Sequence, residues 1–164
     1  QQAGMSKKTI YREFKSQVDL LGALLIENVA DLGDFPPPKP GDDIELELYG
    51  IVVRVITHFT SPHSMALARL IISEVRRYPQ LVNTTKPRGF PRERIVNWLA
   101  SPIVRAKYQI DDADDAAAML FGMVIQDSGF KLLVMNGATM PAHLIETRAR
   151  RAVQIFLRGV QKSG

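Results

Sequence analysis

Ala3-Gly4-Met5-Ser6-Lys7-Lys8-Thr9-Ile10-Tyr11-Arg12-Glu13-Phe14 is the stretch on which the reading of the whole chain turns. Gly4 supplies the left-handed backbone that ends a helix, and Ser6 is a good N-cap for a helix starting at Lys7. The unit reads as helix, tight turn, helix. At roughly 100° per residue, Ile10 and Phe14 share one stripe of the second helix and Lys8, Arg12 and Lys15 fall about opposite, with Thr9 and Tyr11 on the flanks. One face is built to dock and the other to meet something anionic. A helix-turn-helix offers its recognition helix to the major groove in this way, with cations and hydroxyls on phosphates. The same pattern also fits a short amphipathic helix with a solvated basic face.

The string from Ala3 to Phe14 resembles the turn and recognition helix of the TetR (tetracycline-repressor-like) family of bacterial one-component regulators, whose motif runs approximately A-G-V-S-x-G-T-L-Y-x-x-F. Turn, hydroxyl, tyrosine and closing phenylalanine match in register. The resemblance implies that Ser6, Lys7, Lys8, Thr9, Tyr11, Arg12 and Lys15 meet a double-stranded DNA operator. It also implies that the family's first helix and most of its second would precede Gln1. The chain departs from the pattern at Lys8, where the family usually has Gly, and at Glu13, a carboxylate that phosphate repels. It departs again at Gln17, where the family tends to carry Lys. "RLIISEVRRYPQL", Arg69 to Leu81, is similar to the family's recurring R-L-x-x-x-E-x-x-x-x-P-x-L segment.

At 164 residues, 46% hydrophobic and 23% charged, the chain is long enough for one or two units with a sizeable core. The formal charge of +4 fits a polyanionic partner, but the basic residues concentrate in the last helix (Arg148, Arg150, Arg151, Arg158, Lys162) rather than in the motif. No cysteine is present, so there is no disulfide framework, which suits a cytoplasmic protein. The most apolar run, Ala116 to Gln126, is eleven residues, short of the ~20 a bilayer span needs, so no membrane partner is expected.

Beyond the motif the pattern is helical and the fold class is all-α, since no apolar run alternates like a strand. Ser16 caps a connecting helix from Gln17 to Leu32 whose stripe is Val18, Leu21, Leu25, Val29 and Leu32. "GDFPPPKPGDD" near residues 33–43 is the candidate boundary, because consecutive prolines forbid helix. This gives a partial helix-turn-helix domain with its connecting helix at 1–32, and a helical ligand-binding and dimerisation domain at 42–164. Within the latter, helices are expected at Ile44–Phe59, Ser64–Tyr78, Arg92–Tyr108 with a bend near Ser101-Pro102, Asp111–Asn136, and Pro141–Gln161. The helix around 113–135 is apolar almost all round, so with the helix at 141–161 it is the natural element for a homodimer, paired as a four-helix bundle.

Phe59, Trp98, Phe121 and Phe130 lie on helices that should converge, and they are candidates to line a ligand cavity. Glu74 sits about 60° off the centre of its helix's apolar stripe, where a carboxylate needs a partner when buried; an ion pair and a counter-charge for a ligand both fit. Gln126 can orient a ligand or sit at a dimer interface. Catalysis finds no support. His58 and His63 are five apart around a proline, not the i, i+4 spacing of a helical metal site, and neither a metal nor a cofactor is expected. The paired aspartates lie at helix starts, where capping explains them. The sequence therefore points to a non-enzymatic, homodimeric transcriptional regulator, a repressor released from its operator by a small-molecule effector. The alternative is an all-α ligand-binding or dimerisation module with no DNA role.

Overall fold

Each helix of the computed structural model begins where a side-chain oxygen or a proline deals with the free N–H groups that a helix start leaves over. The structure describes Phe14 and residues 16–81, 91–134 and 139–162, without the side chains of Pro91 and residues 126–130. Ser16 Oγ accepts from the Asp19 N–H at 3.1 Å and opens α1, Gln17–Ala30. Asp43 Oδ1 accepts from the Glu45 and Leu46 N–H groups at 3.0 and 3.2 Å and opens α2, Ile44–Phe59. Ser61 caps α3, Pro62–Glu74, with Pro62 in its first turn.

Pro91–Leu99 is α4 and Pro102–Lys107 is α5. Asp112 Oδ1 accepts from the Asp114 and Asp115 N–H groups at the start of α6, Ala113–Val134, and Pro141 precedes α7, Ala142–Gly159. Among the described residues there is no strand, only an isolated antiparallel bridge between Tyr108 and Gln161, reinforced by the Gln109 N–H donating to Val160 O at 2.8 Å. The all-α expectation holds.

Two helices differ from their sequence reading. The expected bent helix from Arg92 to Tyr108 is two helices, because Pro102 has no N–H to donate and its ring excludes the carbonyl a turn earlier. A tight turn, with the Ser101 N–H on Trp98 O, replaces the bend. The expected helix from Ser64 to Tyr78 starts earlier, at Pro62, since proline is preset for the first helical position. It also ends earlier, at Glu74, where the chain tightens ahead of Pro79.

The core is one apolar cluster that runs from the segment after α1 through α2 and α4 to α7. From α2 it takes Leu48, Val52, Val55 and Ile56, a stripe at helical spacing, all essentially inaccessible. From α6 it takes Ala117, Leu120 and Val124, and from α7 Ala149, Val153 and Leu157. α2 packs chiefly on α7, α4 on α6, and α6 on α7, while α1 leans on α3.

The proline-rich segment after α1 is fastened to this core. Phe35 is buried within it, and Arg54 of α2 places its guanidinium 5.0 Å from the Phe35 ring centre. The same guanidinium donates to Asp34 O at 3.3 Å and to Leu32 O, and Arg94 of α4 donates to Gly33 O. Three carbonyls at the end of α1 thus find donors on two other helices. Gly33 has φ +70°, and a Cβ there would lie 3.0 Å from Arg54 Nη2, so only glycine lets the chain turn beneath the arginine. Arg54→Ala should destabilise the fold by about 1–2 kcal/mol in urea unfolding. Arg54→Lys should recover less than half of that loss, because one ammonium cannot span both carbonyls.

Candidate functional site

The residues expected to read DNA, Ser6, Lys7, Lys8, Thr9, Tyr11, Arg12 and Lys15, lie outside the described residues, as do the side chains of Gln126 and Phe130. What the structure does show is how the helix that follows them is held. At the start of α1, Tyr78 OH donates to Gln17 Oε1 at 3.2 Å. In its last turn, Asn28 is buried and its Nδ2 donates to Ser64 Oγ of α3 at 3.1 Å. Asn28 Oδ1 lies 3.2 Å from His58 Nε2 of α2. One amide therefore joins three helices.

His58 holds the middle of this junction. Burial pushes its pKa below the ordinary histidine value; Asp31 raises it and the neighbouring His63 lowers it further, so burial sets the direction. The ring is held neutral, and Nε2 donates to Asn28 Oδ1 when it carries the proton. On its other side His58 packs edge-on against Phe59, with ring centres 5.3 Å apart. The polar junction and the aromatic cluster are neighbours.

Of the expected ligand residues, Phe59 and Phe121 come together, edge to face with ring centres 5.3 Å apart. Both flank the apolar cluster to which Trp98 belongs. Trp98 is 1% exposed, and its indole N–H has no partner; the buried Ser101 hydroxyl, one turn on, also has none. Two buried polar atoms close together without partners are rare and point to a bound polar group or water. Glu74, half-buried at the end of α3, takes no part in the Phe59–Phe121 contact.

Sequence reasoning missed the Asn28–Ser64–His58 junction, although Asn28 lies seven residues from Leu21, next to Val29 on the apolar side of α1. A polar residue inside an apolar stripe is a signal that a partner awaits it.

The outer face of α6 and α7 is different in kind. Met119 and Ile155 are 62% and 56% exposed there, and Leu144 and Val134 are exposed too. Two open grooves of about 660 and 940 Å³ run along this face and share Met123 and Ile155 at its centre. Among the described residues no cluster of side chains can hold a metal ion, and no helix is long and apolar enough to cross a membrane.

Residues 47–159 match the family described as the AefR-like transcriptional repressor, C-terminal domain. A TetR-family transcriptional regulator from Mesorhizobium loti shares the fold with a TM-score of 0.82 at 23% identity, over 98% of this chain and 83% of its own. One from Agrobacterium tumefaciens does so with a TM-score of 0.76 at 21% identity, over 98% and 80%. The flavonoid-responsive regulator FrrA gives 0.75 at 23% identity, over 99% and 84%. No curated protein matches the chain. With the fold shared along nearly its whole length and the family matched over more than half of it, the chain belongs to the TetR family of transcriptional regulators.

Proposed function

We propose that the chain is a cytoplasmic, homodimeric repressor that binds an operator through the helix bearing Ser6, Lys7, Lys8, Thr9, Tyr11, Arg12 and Lys15. A small molecule bound among Phe59, Glu74, Trp98, Phe121, Gln126 and Phe130 releases it. The observation that carries this reading is the attachment of α1: its last turn is bonded to α2 and α3 through Asn28, beside the Phe59–Phe121 pair. A ligand that repacks the aromatic cluster moves those bonds, and with them the helix leading to the DNA reader. The repressor description of the matched family supports repression. The unpartnered Trp98 indole and Ser101 hydroxyl support a ligand that combines an apolar ring with a polar edge, and the flavonoid response of FrrA agrees with that chemistry. The exposed apolar face of α6 and α7 supports pairing through those two helices.

The test is operator binding by the full-length protein, using DNA upstream of its own gene with and without planar phenolic compounds. Trp98, the chain's one tryptophan, serves as an internal fluorescent reporter of ligand. A coupling of about 1–3 kcal/mol should weaken operator binding roughly 5- to 150-fold, and operator DNA should weaken ligand binding by the same factor. Equal ligand affinity with and without saturating operator would remove the release mechanism. Lys8→Ala should weaken binding to all sequences alike and lower the salt slope by about one. Unchanged affinity in Lys8→Ala combined with Tyr11→Phe would show that the reader lies elsewhere.

Protonation of His58 is resisted in the folded state, so acid favours the unfolded chain. Stability from this group is therefore full above the ordinary histidine value of 6.5 and declines as pH falls below it. His58→Gln, which can still meet Asn28, should flatten that decline in thermal melts taken between pH 7 and pH 5.

A further inference from the structure

The two grooves on the outer face of α6 and α7 carry opposite charge. The one at the start of α6 and the end of α7 is lined by Asp111, Asp112 and Asp115 and by no cation. The one at the other end of the same face is lined by Lys131, Arg148 and Arg151 and by no anion. Glu146 and Arg158, the opposite charges nearest each end in sequence, line neither groove. Asp114 is turned away to Arg92, with 2.5 Å between Nη2 and Oδ2. Between the two ends lies an apolar centre formed by Met119, Met123 and Ile155.

A face with an apolar middle, an acidic end and a basic end is complementary to itself in one orientation. In a two-fold dimer the same patch meets itself, and every contact from residue i to residue j is repeated from j to i. With the partner's patch reversed, each acidic groove lies over a basic one, and both ends of the interface attract. With like ends together, three carboxylates would meet three carboxylates, and like charges face to face at an interface are strongly unfavourable.

We propose that the partner on this face is a second copy of the chain seated with its ends reversed, so that Asp111 and Asp115 of each protomer lie over the basic groove of the other. Met123 and Ile155 then sit close to the two-fold axis. The inference rests on the dimer reading above and adds the orientation and the residues that fix it. The apolar centre supplies adhesion, and the charged ends set the register and exclude the parallel arrangement.

The test uses two charge-reversed variants of the full-length protein, one with Asp111→Lys and Asp115→Lys, the other with Lys131→Glu and Arg151→Glu. All four side chains are exposed, and Asp112 is left in place because it caps α6. Sedimentation should show each variant dimerising at least about tenfold more weakly than wild type, since both ends of each homodimer become like-charged. Combining all four substitutions in one chain should restore dimerisation to near the wild-type level. Helix content by circular dichroism checks that each variant is folded. A wild-type chain that stays monomeric at micromolar concentration would remove the dimer reading itself. A wild-type dimer with both folded variants pairing as tightly as it does would leave the dimer standing and overturn the reversed orientation. Weakening in the two variants without recovery in the combined chain would overturn it as well.

Discussion

A helix that ends against other helices leaves carbonyl oxygens that must find donors, and the way α1 meets this requirement organises the molecule. Leu32, Gly33 and Asp34 lie past its last turn, and their carbonyls accept from Arg54 on α2 and Arg94 on α4. Two guanidinium groups at a helix C-terminus also oppose the negative end of its dipole. The result is a connecting helix whose far end is fixed by side chains belonging to the body. The proline run that follows cannot coil, and Phe35 within it is pinned under Arg54. The segment that separates the two parts of the chain in sequence is a fastening in space.

The second fastening is polar and lies one turn earlier. Asn28 replaces what would be another apolar residue on α1, and its amide bonds both Ser64 and His58. An apolar residue there would let α1 slide along α3 with little change in energy. An amide between two fixed partners allows one position, because a displaced Asn28 leaves three buried polar groups without bonds. Movement of α1 is thereby made stepwise, which suits a helix that has to hold one of two settings.

Much of this was legible in the residues. Ser16 and Asp43 announced helix starts that the structure reproduces, and the stripe Leu48, Val52, Val55 identified the central helix and its buried face. These signals are local: a cap acts over three residues and a stripe over a dozen. Pro102 was legible as an interruption, but whether the chain bends or breaks there depends on what α4 and α5 pack against. Arg54 and Arg94 read as ordinary polar-face residues, because their acceptors lie 22 and 61 positions away. His58 was weighed only as a metal ligand, and the amide it meets is 30 residues earlier. Pairings at such separations leave no periodicity in a sequence. The grooves on α6 and α7 were half legible: the apolar character of α6 showed, but the split of charge between the ends needed α7 beside it.

The bridge between Tyr108 and Gln161 closes the base of the α6–α7 hairpin, and the Gln109–Val160 hydrogen bond tightens it. A hairpin joined at its open end has arms of matched length. A residue added to α6 alone advances it by about 1.5 Å and rotates everything beyond by about 100°, carrying the outer face off its axis. Changes in the length of one arm must therefore be answered in the other, as with the two legs of a pair of compasses. The hairpin behaves as a ruler of fixed span, and that span sets how far apart two copies of the chain can hold whatever their first helices carry.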